Sequence, residues 1–213
     1  MQHCINLHGL YGISDETLSP YEHLPKMLQE AILGGLRIFQ LRDKCHSDQE
    51  IQPIALELMH ICKKSGVQFI LNDRYALAKE LGCGVHLGKE EWENWKLDSK
   101  KRSKELRFLE CVGISCYDSL EYAKEAKALG ADYVAFGSCF ESPTKPLARC
   151  LNLDIFLEAR NLEIPVCAIG GITPLNAHQL KNIEMIAVIS SLWNNNLTRM
   201  NAQNLLKAWN GTT

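Results

Sequence analysis

The sequence lacks the features by which several classes of protein are recognised. No apolar run approaches the ~18 residues of a membrane-spanning helix. Residues 1–9 have neither the basic start nor the apolar core of a secretion signal. The nine cysteines are odd in number and include no C-x-x-C pair, which argues against a disulfide framework and against a zinc knuckle. We therefore expect reduced thiols, a cytoplasmic location and no membrane partner.

The chain also has little net charge and none of the common catalytic signatures. Its formal charge of −2 gives no electrostatic reason to expect a nucleic acid partner. It contains no nucleophile elbow, no Walker-type loop and no paired histidine motif. Any anion site must therefore be built locally, from a few cationic side chains and backbone N–H groups.

What the sequence does contain is a regular alternation of short apolar segments and helical periodicity. The predicted strands are residues 10–13, Leu36–Leu41, 67–71, Gly84–Leu87, 108–114, 132–136, 165–169 and 185–189. Eight strand–helix units without a linker predict one domain over residues 1–213, folded as a parallel (β/α)8 TIM barrel. An open doubly wound sheet is the alternative.

Helical spacing of apolar residues fills the gaps between these strands. Ser47 is predicted to cap a long helix that ends at Lys64, before Gly66. The charge-rich residues 96–104 predict a solvent-exposed helix face. The other predicted helices are residues 21–33, Tyr75–Leu81, 119–129, 153–161, 174–180 and 198–209.

The most informative polar segment is Gln40-Leu41-Arg42-Asp43-Lys44, at the carboxyl end of the second predicted strand. In parallel α/β proteins, ligands bind outside the carboxyl ends of the strands. Arg42 offers a planar guanidinium for phosphate oxygens, and Lys44 offers a mobile point charge. A solvated turn is the alternative for this segment alone, but the same pattern of a strand followed by polar residues recurs along the chain.

Two carboxylates, Asp73 and Glu91, end the neighbouring third and fourth units. A pair of oxygen ligands with open positions suits Mg²⁺, which keeps several waters and shares substrate phosphates. Arg42, Lys44 and Lys145 around such a metal would make a pyrophosphate site. Two helix-capping acids are the alternative.

Glycines and serines follow the last two predicted strands, at Gly170-Gly171 and Ser190-Ser191. In barrels of this class these loops commonly bind phosphate, because glycine lets the backbone approach the anion closely. A tight turn that merely requires glycine is the alternative. His86, between two apolar residues inside a strand, is predicted to be a hydrogen-bonded structural residue.

Several blocks of sequence, taken together, identify a family. In chain order they are Gln40-Leu41-Arg42-Asp43-Lys44, Asn72-Asp73-Arg74, Val85-His86-Leu87-Gly88, Gly113-Ile114-Ser115, Gly130-Ala131-Asp132-Tyr133, Thr144-Lys145 and Ala168-Ile169-Gly170-Gly171-Ile172. Over residues 11–191 these blocks resemble the thiamine-phosphate synthase family. That family is a (β/α)8 barrel that joins hydroxymethylpyrimidine diphosphate to a thiazole phosphate with Mg²⁺ and releases pyrophosphate.

The resemblance implies roles for particular residues of this chain. It implies that the pyrimidine diphosphate is bound by Gln40, Leu41, Arg42, Asp43, Lys44, Asn72, Ser115 and Lys145. It implies that the thiazole phosphate is bound by Ser142, Thr144, Gly171, Ile189 and Ser190. It implies that Mg²⁺ is bound by Asp73 and Glu91, and that catalysis is carried by Arg42, Lys44, Ser115 and Lys145. The expected partners are these small molecules, and the oligomeric state is left open.

The chain departs from the family pattern at a few positions. Glu91 stands where an Asp is usual, and Lys89 where a Gln is common. Ser142 replaces the first Thr of a Thr-x-Thr-Lys motif, and Tyr117 stands where a His often follows the Gly-x-Ser block. Two other functions stay open: a thiazole tautomerase of the same superfamily, whose members tend to lose the Gln-Leu-Arg and Asn-Asp blocks, and a non-catalytic ligand-binding barrel.

Overall fold

A computed structural model of the chain describes residues 7–97, 108–142 and 150–211. Eight strands pair in parallel, each with the next in sequence and the last with the first, and so close a barrel. The strands are β1 (Gly9–Ile13), β2 (Leu36–Leu41), β3 (Gln68–Asn72), β4 (Gly84–Leu87), β5 (Val112–Tyr117), β6 (Tyr133–Phe136), β7 (Val166–Ile169) and β8 (Met185–Val188). The predicted (β/α)8 barrel is confirmed.

Helices cover the outside of the barrel. They are α1 (Leu24–Leu33), α2 (Asp48–Lys64), α3 (Tyr75–Leu81), α4 (Lys89–Leu97), α5 (Leu120–Ala128), α6 (Ile155–Ala159), α7 (Ser190–Trp193) and α8 (Thr198–Asn210), with 3-10 turns at Arg160–Leu162, Ala177–Leu180 and Asn194–Asn196. Within the described ranges, no helix is long and apolar enough to cross a bilayer.

The long helix α2 shows how local sequence sets an element. The Ser47 hydroxyl accepts a hydrogen bond from the Glu50 amide, and the Glu50 carboxylate accepts one from the Ser47 amide, so both ends of a capping box are formed. The apolar side chains of α2 recur at helical spacing and pack against the barrel. The predicted cap at Ser47 is confirmed.

The strands divide the core into two parts because their side chains alternate between faces. One face packs under the helices and includes Phe39, Leu41 and Val85. The other face points into the barrel, where Tyr11 and Tyr133 lie among small and aliphatic side chains. This alternation decides which strand-end residues reach the rim of the barrel interior.

Two predicted elements differ clearly from the structure. The fifth strand is Val112–Tyr117 rather than 108–114, because Ser115 and Tyr117 still pair with Ala135 and Phe136 of β6 past the predicted end. The predicted helix at 174–180 reduces to the 3-10 turn Ala177–Leu180. There the Asn176 side chain bonds to the Thr173 amide and the Gly171 carbonyl, which competes with helix formation.

The solvent-exposed helix face predicted at residues 96–104 is wrong at its first residue. The Lys96 side chain is only 14% exposed and pairs with Glu93 at 2.8 Å and Glu125 at 3.0 Å. Its ammonium also lies over the rings of Trp92 and Tyr122. Lys96 therefore joins α4 to α5, while residues 98–107 lie outside the described residues.

Candidate active site

The carboxyl ends of β2, β3 and β5 bring polar side chains to one rim of the barrel. Register places Gln40 beside Ile13, Asn72 beside His86, and Ser115 beside Ala135. Period-two alternation points these rim residues inward. Immediately after β8, the predicted residue Ile189 packs against the same interior cluster.

A chain of hydrogen bonds crosses the barrel interior just below this rim. The Gln40 amide donates to the Tyr11 hydroxyl at 2.6 Å, and the Tyr11 and Tyr133 hydroxyls are 2.9 Å apart. The Tyr133 hydroxyl lies 2.9 Å from Nδ1 of His86, whose Nε2 lies 2.9 Å from the Ser115 hydroxyl. Two residues predicted to bind substrate, Gln40 and Ser115, are thus the two ends of one chain.

Sequence reasoning missed both tyrosines of this chain. The available signal was their position, because each is at an inward-facing site of a strand whose neighbouring inward residues are apolar. His86 is hydrogen-bonded at both ring nitrogens, as predicted. Burial lowers the pKa of His86 to about 4, although the Asp73 carboxylate opposes the shift.

The loop after β2 is organised around the buried carboxylate of Asp43. One oxygen accepts bonds from the amides of Cys45 and His46 at 2.8 Å, and the other from the Tyr21 hydroxyl and the His46 ring. Arg74 also reaches this carboxylate, at 3.5 Å. Burial raises the pKa of the Asp43 carboxyl, but the hydrogen bonds from Tyr21 and His46 outweigh burial, so the pKa lies well below its ordinary value. The side chain supports the loop, and its contact with substrate stays a prediction.

The same loop presents two cations whose backbone is held from β1. The Arg42 amide donates to Ser14 Oγ at 2.8 Å, and the Lys44 amide donates to Glu16 Oε1 at 2.9 Å. Within the described part of the chain, neither cationic side chain makes an ion pair. Their charge is therefore available to an anion. Leu41 faces the helix layer, so only its backbone can contribute at the rim.

The two predicted metal ligands lie on the same side of Gly88. A Cβ atom built on Gly88 would lie 3.0 Å from Oε2 of Glu91 and 3.3 Å from Oδ1 of Asp73. Asp73 is held with φ of +60°, which Asp tolerates, and its carboxylate accepts bonds from the Gly88 amide at 2.7 Å and the Asn72 side chain at 2.6 Å. A side chain at Gly88 would fill the space that the two carboxylates share. Their oxygens are ligands that fit a hard cation such as Mg²⁺.

Glu91 lies in the first turn of α4 and Glu90 beside it is exposed. Glu91, rather than Glu90, therefore turns toward Asp73. The described residues hold no group of three or more His, Cys, Asp and Glu that would enclose a metal ion. A cation between Asp73 and Glu91 would need further ligands from water or from a substrate.

On the opposite part of the rim, the loops after β6, β7 and β8 are joined mainly by backbone contacts. The Phe140 amide donates to the Gly170 carbonyl at 3.0 Å, and a Cβ atom on Gly171 would lie 2.4 Å from the Glu141 carbonyl oxygen. The Ser191 hydroxyl donates to the Ile172 carbonyl at 2.7 Å. Gly171 therefore lies beside Glu141, the residue that precedes Ser142. The close approach of these two loops is one reason why position 171 is a glycine.

Of three further predicted site residues, the structure describes one. Ser190 begins α7 at the end of β8 and is partly buried. Thr144 and Lys145 lie outside the described residues, so their predicted roles are carried by the sequence alone.

Comparison with known proteins gives one consistent result. The model of the family described as thiamine monophosphate synthase matches residues 10–192. A thiamine-phosphate synthase of Wolinella succinogenes is 48% identical, and the match covers 96% of this chain and 95% of the relative. One of Thioalkalivibrio sulfidiphilus is 38% identical and covers 88% of each chain. The solved structure of a thiamine phosphate pyrophosphorylase from Pyrococcus furiosus superposes with a TM-score of 0.82, at 32% identity over 98% of both chains.

Proposed function

We propose, because the chain belongs to the thiamine monophosphate synthase family, that its barrel rim joins a pyrimidinylmethyl diphosphate to a thiazole phosphate. Membership makes the chain a transferase that forms thiamine phosphate. The proposed site rests on one observation: cationic side chains and carboxylates lie on the same part of the rim. Arg42 and Lys44, which form no ion pair with another described residue, follow β2, and the carboxylates of Asp73 and Glu91 converge beyond β3 and β4.

The pyrimidine diphosphate is placed on this cationic and acidic side. Arg42 and Lys44 bind the diphosphate oxygens, with Lys145 from the loop after β6. Gln40, Asn72 and Ser115 hold the remaining polar atoms of the pyrimidine. Mg²⁺ would be held by Asp73 and Glu91, and when bound it supplies positive charge that offsets the charge of the diphosphate.

Bond cleavage then precedes bond formation. The electron pair of the methylene carbon–oxygen bond departs with pyrophosphate, and the electron-rich aminopyrimidine stabilises the cation that remains. The thiazole nitrogen uses its lone pair to form the new carbon–nitrogen bond. Arg42, Lys44 and Lys145 neutralise the leaving group, and the rim aligns the acceptor, so no covalent enzyme intermediate is required.

The thiazole phosphate is placed at the loops after β6, β7 and β8. Ser142, Thr144, Gly171, Ile189 and Ser190 line this part of the rim in the proposal. The described cysteines are free thiols, and the proposal places the enzyme in the reducing cytosol, with no nucleic acid partner.

The test is to incubate the purified protein with both substrates and Mg²⁺ and to measure thiamine phosphate by mass. Arg42→Ala should lower the rate strongly. Arg37→Ala is a matched control, because Arg37 is an exposed residue near the opposite end of the same strand. Absence of product at saturating substrate overturns the proposed activity, and equal rates for the two variants overturn the proposed diphosphate site.

A further inference from the structure

We propose that Tyr11, Tyr133 and His86 are positioning residues that fix Ser115 as a hydrogen-bond donor toward the substrate and couple its orientation to that of Gln40. The inference rests on the proposed function for the identity of the substrate, but its structural part stands independently. It follows from counting donors and acceptors along the buried chain of hydrogen bonds.

The direction of the chain is determined from its Gln40 end. The Gln40 Nε2 group donates to the Tyr11 hydroxyl. Among the described residues, the Tyr133 hydroxyl is the other partner of Tyr11, so the single Tyr11 proton must go there. The reverse direction would give Tyr11 two donors and leave its own buried proton without an acceptor, which is energetically costly.

The same count fixes the tautomer of His86. Tyr133 accepts from Tyr11, so it donates its own proton to Nδ1 of His86. The ring proton therefore lies on Nε2, which donates to the Ser115 oxygen. The Ser115 hydroxyl proton is then not used within the chain, so it is available to donate to an acceptor atom of the substrate, such as a phosphate oxygen or a ring nitrogen.

Rotating the Gln40 amide by half a turn would reverse every member of the chain. Its oxygen would then accept from Tyr11, and each following bond would change direction. The Ser115 hydroxyl would donate to His86 Nε2, so toward the substrate Ser115 could act only as an acceptor. The two substrate-binding ends are therefore not independent: one orientation of Gln40 corresponds to one role of Ser115. Their coupling needs no movement of the backbone, because only protons and one amide change place.

The packing of the interior indicates that the two tyrosine hydroxyls have a role beyond filling space. Tyr11 and Tyr133 are at most 1% exposed and lie among apolar side chains, where an unpaired hydroxyl is costly. The ring of Tyr133 lies directly over Gly113, so that a Cβ atom there would be 2.0 Å from Cζ and 2.4 Å from the hydroxyl oxygen. Phenylalanine would fill the same volume without any polar cost, so the hydroxyl needs a reason beyond packing.

The first experiment measures the tautomer directly. The full chain is labelled with ¹⁵N-histidine, and two-bond proton–nitrogen correlations are recorded at neutral pH. The signal of His86 is identified by its absence from His86→Gln. A single neutral tautomer with the proton on Nε2 is expected. A proton on Nδ1, or on both nitrogens, overturns the assigned direction. This result does not depend on activity, so it is separate from any failure of the proposed function.

The second experiment removes one hydroxyl from the middle of the chain. Tyr133→Phe should lower kcat about 10- to 100-fold through misalignment of the reacting groups, with a smaller change in KM, and should leave His86 as a mixture of tautomers. The control is Tyr122→Phe, whose hydroxyl bonds to Glu93 outside the barrel interior. Should Tyr133→Phe not fold, Tyr11→Phe breaks the chain from the other side of the same bond. An unchanged kcat together with an unchanged tautomer overturns the positioning role.

Discussion

The loops that follow β1 to β4 and the loops that follow β6 to β8 lie on opposite parts of the rim, and different kinds of contact fix them. On the first part, charged side chains hold the loops: the Asp43 carboxylate forms hydrogen bonds with Tyr21 and His46 and an ion pair with Arg74. On the second part, backbone groups approach one another directly, through Gly170 and Gly171. The two parts are called the ionic side and the glycine side below.

This difference predicts how each side fails. On the ionic side a conservative loss of charge is enough to remove several hydrogen bonds, and the damage depends on pH. On the glycine side one added methyl group meets the backbone of the neighbouring loop, and the damage does not depend on pH. The ionic side is proposed to bind the diphosphate and the glycine side the thiazole phosphate, so the two kinds of damage should affect different substrates.

The largest loss of rate is expected at Lys145, whose proposed ligand is bound mainly by the ionic side. In the sequence Lys145 lies between β6 and α6, yet its proposed partner is the diphosphate on the ionic side. Lys145→Ala should lower the rate about 10²- to 10³-fold, because one stabilising contact to the leaving group is lost. Steady-state rates and circular dichroism measure this, with the exposed Lys63 of α2 as a control in Lys63→Ala. A wild-type rate in a folded Lys145→Ala protein would make Lys145 a surface residue.

Loss of charge at Asp43 tests the ionic side. Asp43→Asn keeps the shape but replaces one acceptor with a donor that faces other donors, so the free energy of unfolding should fall by about 2–3 kcal/mol. Asp48→Asn is the matched control: it also removes a partner of Arg74, but Asp48 is 46% exposed and its pair should contribute under about 1 kcal/mol. Urea denaturation measures both.

The pH dependence of the Asp43→Asn effect follows from the lowered pKa of this carboxyl, which Tyr21, His46 and Arg74 face. An unfolded Asp titrates near its ordinary pKa of about 3.9. The stabilisation by Asp43 is therefore complete above about pH 4 and is lost as the pH falls through the lower folded pKa. The Asp43 carboxylate also raises the pKa of His46, so the stabilisation from this pair increases as His46 becomes protonated below neutral pH. The difference between wild type and Asp43→Asn should therefore be largest near about pH 5 and should shrink below about pH 4. A difference that keeps growing below about pH 4 would contradict the role of the carboxylate.

Sequence reasoning reached the barrel because the alternation of apolar segments and helical spacing is repeated eight times, and repetition corrects errors at single boundaries. It also predicted Gln40, Asn72 and Ser115 near the carboxyl ends of strands, where the structure has them, and their contacts with substrate stay predictions. Strand β5 was misplaced because Phe108 looks like a strand residue but is 48% exposed.

The sequence could not show the contacts that span the barrel. Tyr11 and Tyr133 are 122 residues apart, and only closure of the barrel brings their hydroxyls together. Similarly, the sequence indicates that Asp43 is polar and near the site, but not that its oxygens are used within its own loop. Such pairings depend on tertiary geometry, which local propensity does not encode.

On the glycine side, the sharpest test compares two glycines with nearly the same backbone. Gly171 has φ of +63° and Gly66 has φ of +66°, but a Cβ atom at Gly171 meets two carbonyl oxygens, whereas at Gly66 nothing lies within 4 Å among the described atoms. Gly66→Ala should cost roughly 1 kcal/mol from the backbone angle alone. Gly171→Ala should cost more and should raise KM for the thiazole phosphate, with little change in KM for the pyrimidine diphosphate. Equal costs and an unchanged KM would separate Gly171 from the site.

The smallest effect concerns Glu91, the longer of the two predicted metal ligands. Glu91→Ala should raise the Mg²⁺ concentration for half-maximal rate by about tenfold or more, and Glu91→Asp should restore much of the loss. Glu90→Ala is the matched control, because Glu90 is the exposed neighbour in the same helical turn. Activity is titrated against Mg²⁺ for all three variants.

The competing explanation is that Glu91 only stabilises the start of α4, where an acidic side chain interacts favourably with the helix dipole. In that case Glu91→Ala and Glu90→Ala would lower thermal stability by similar amounts, and neither would move the Mg²⁺ titration. The geometry favours the metal role, because Oε2 of Glu91 lies beside Gly88 together with the Asp73 carboxylate. Mg²⁺ tolerates a ligand held through water better than a strained direct one, so the extra methylene of Glu91 is compatible with either contact. A Mg²⁺ titration that shifts for Glu91→Ala alone, at unchanged melting temperature, would separate the two roles.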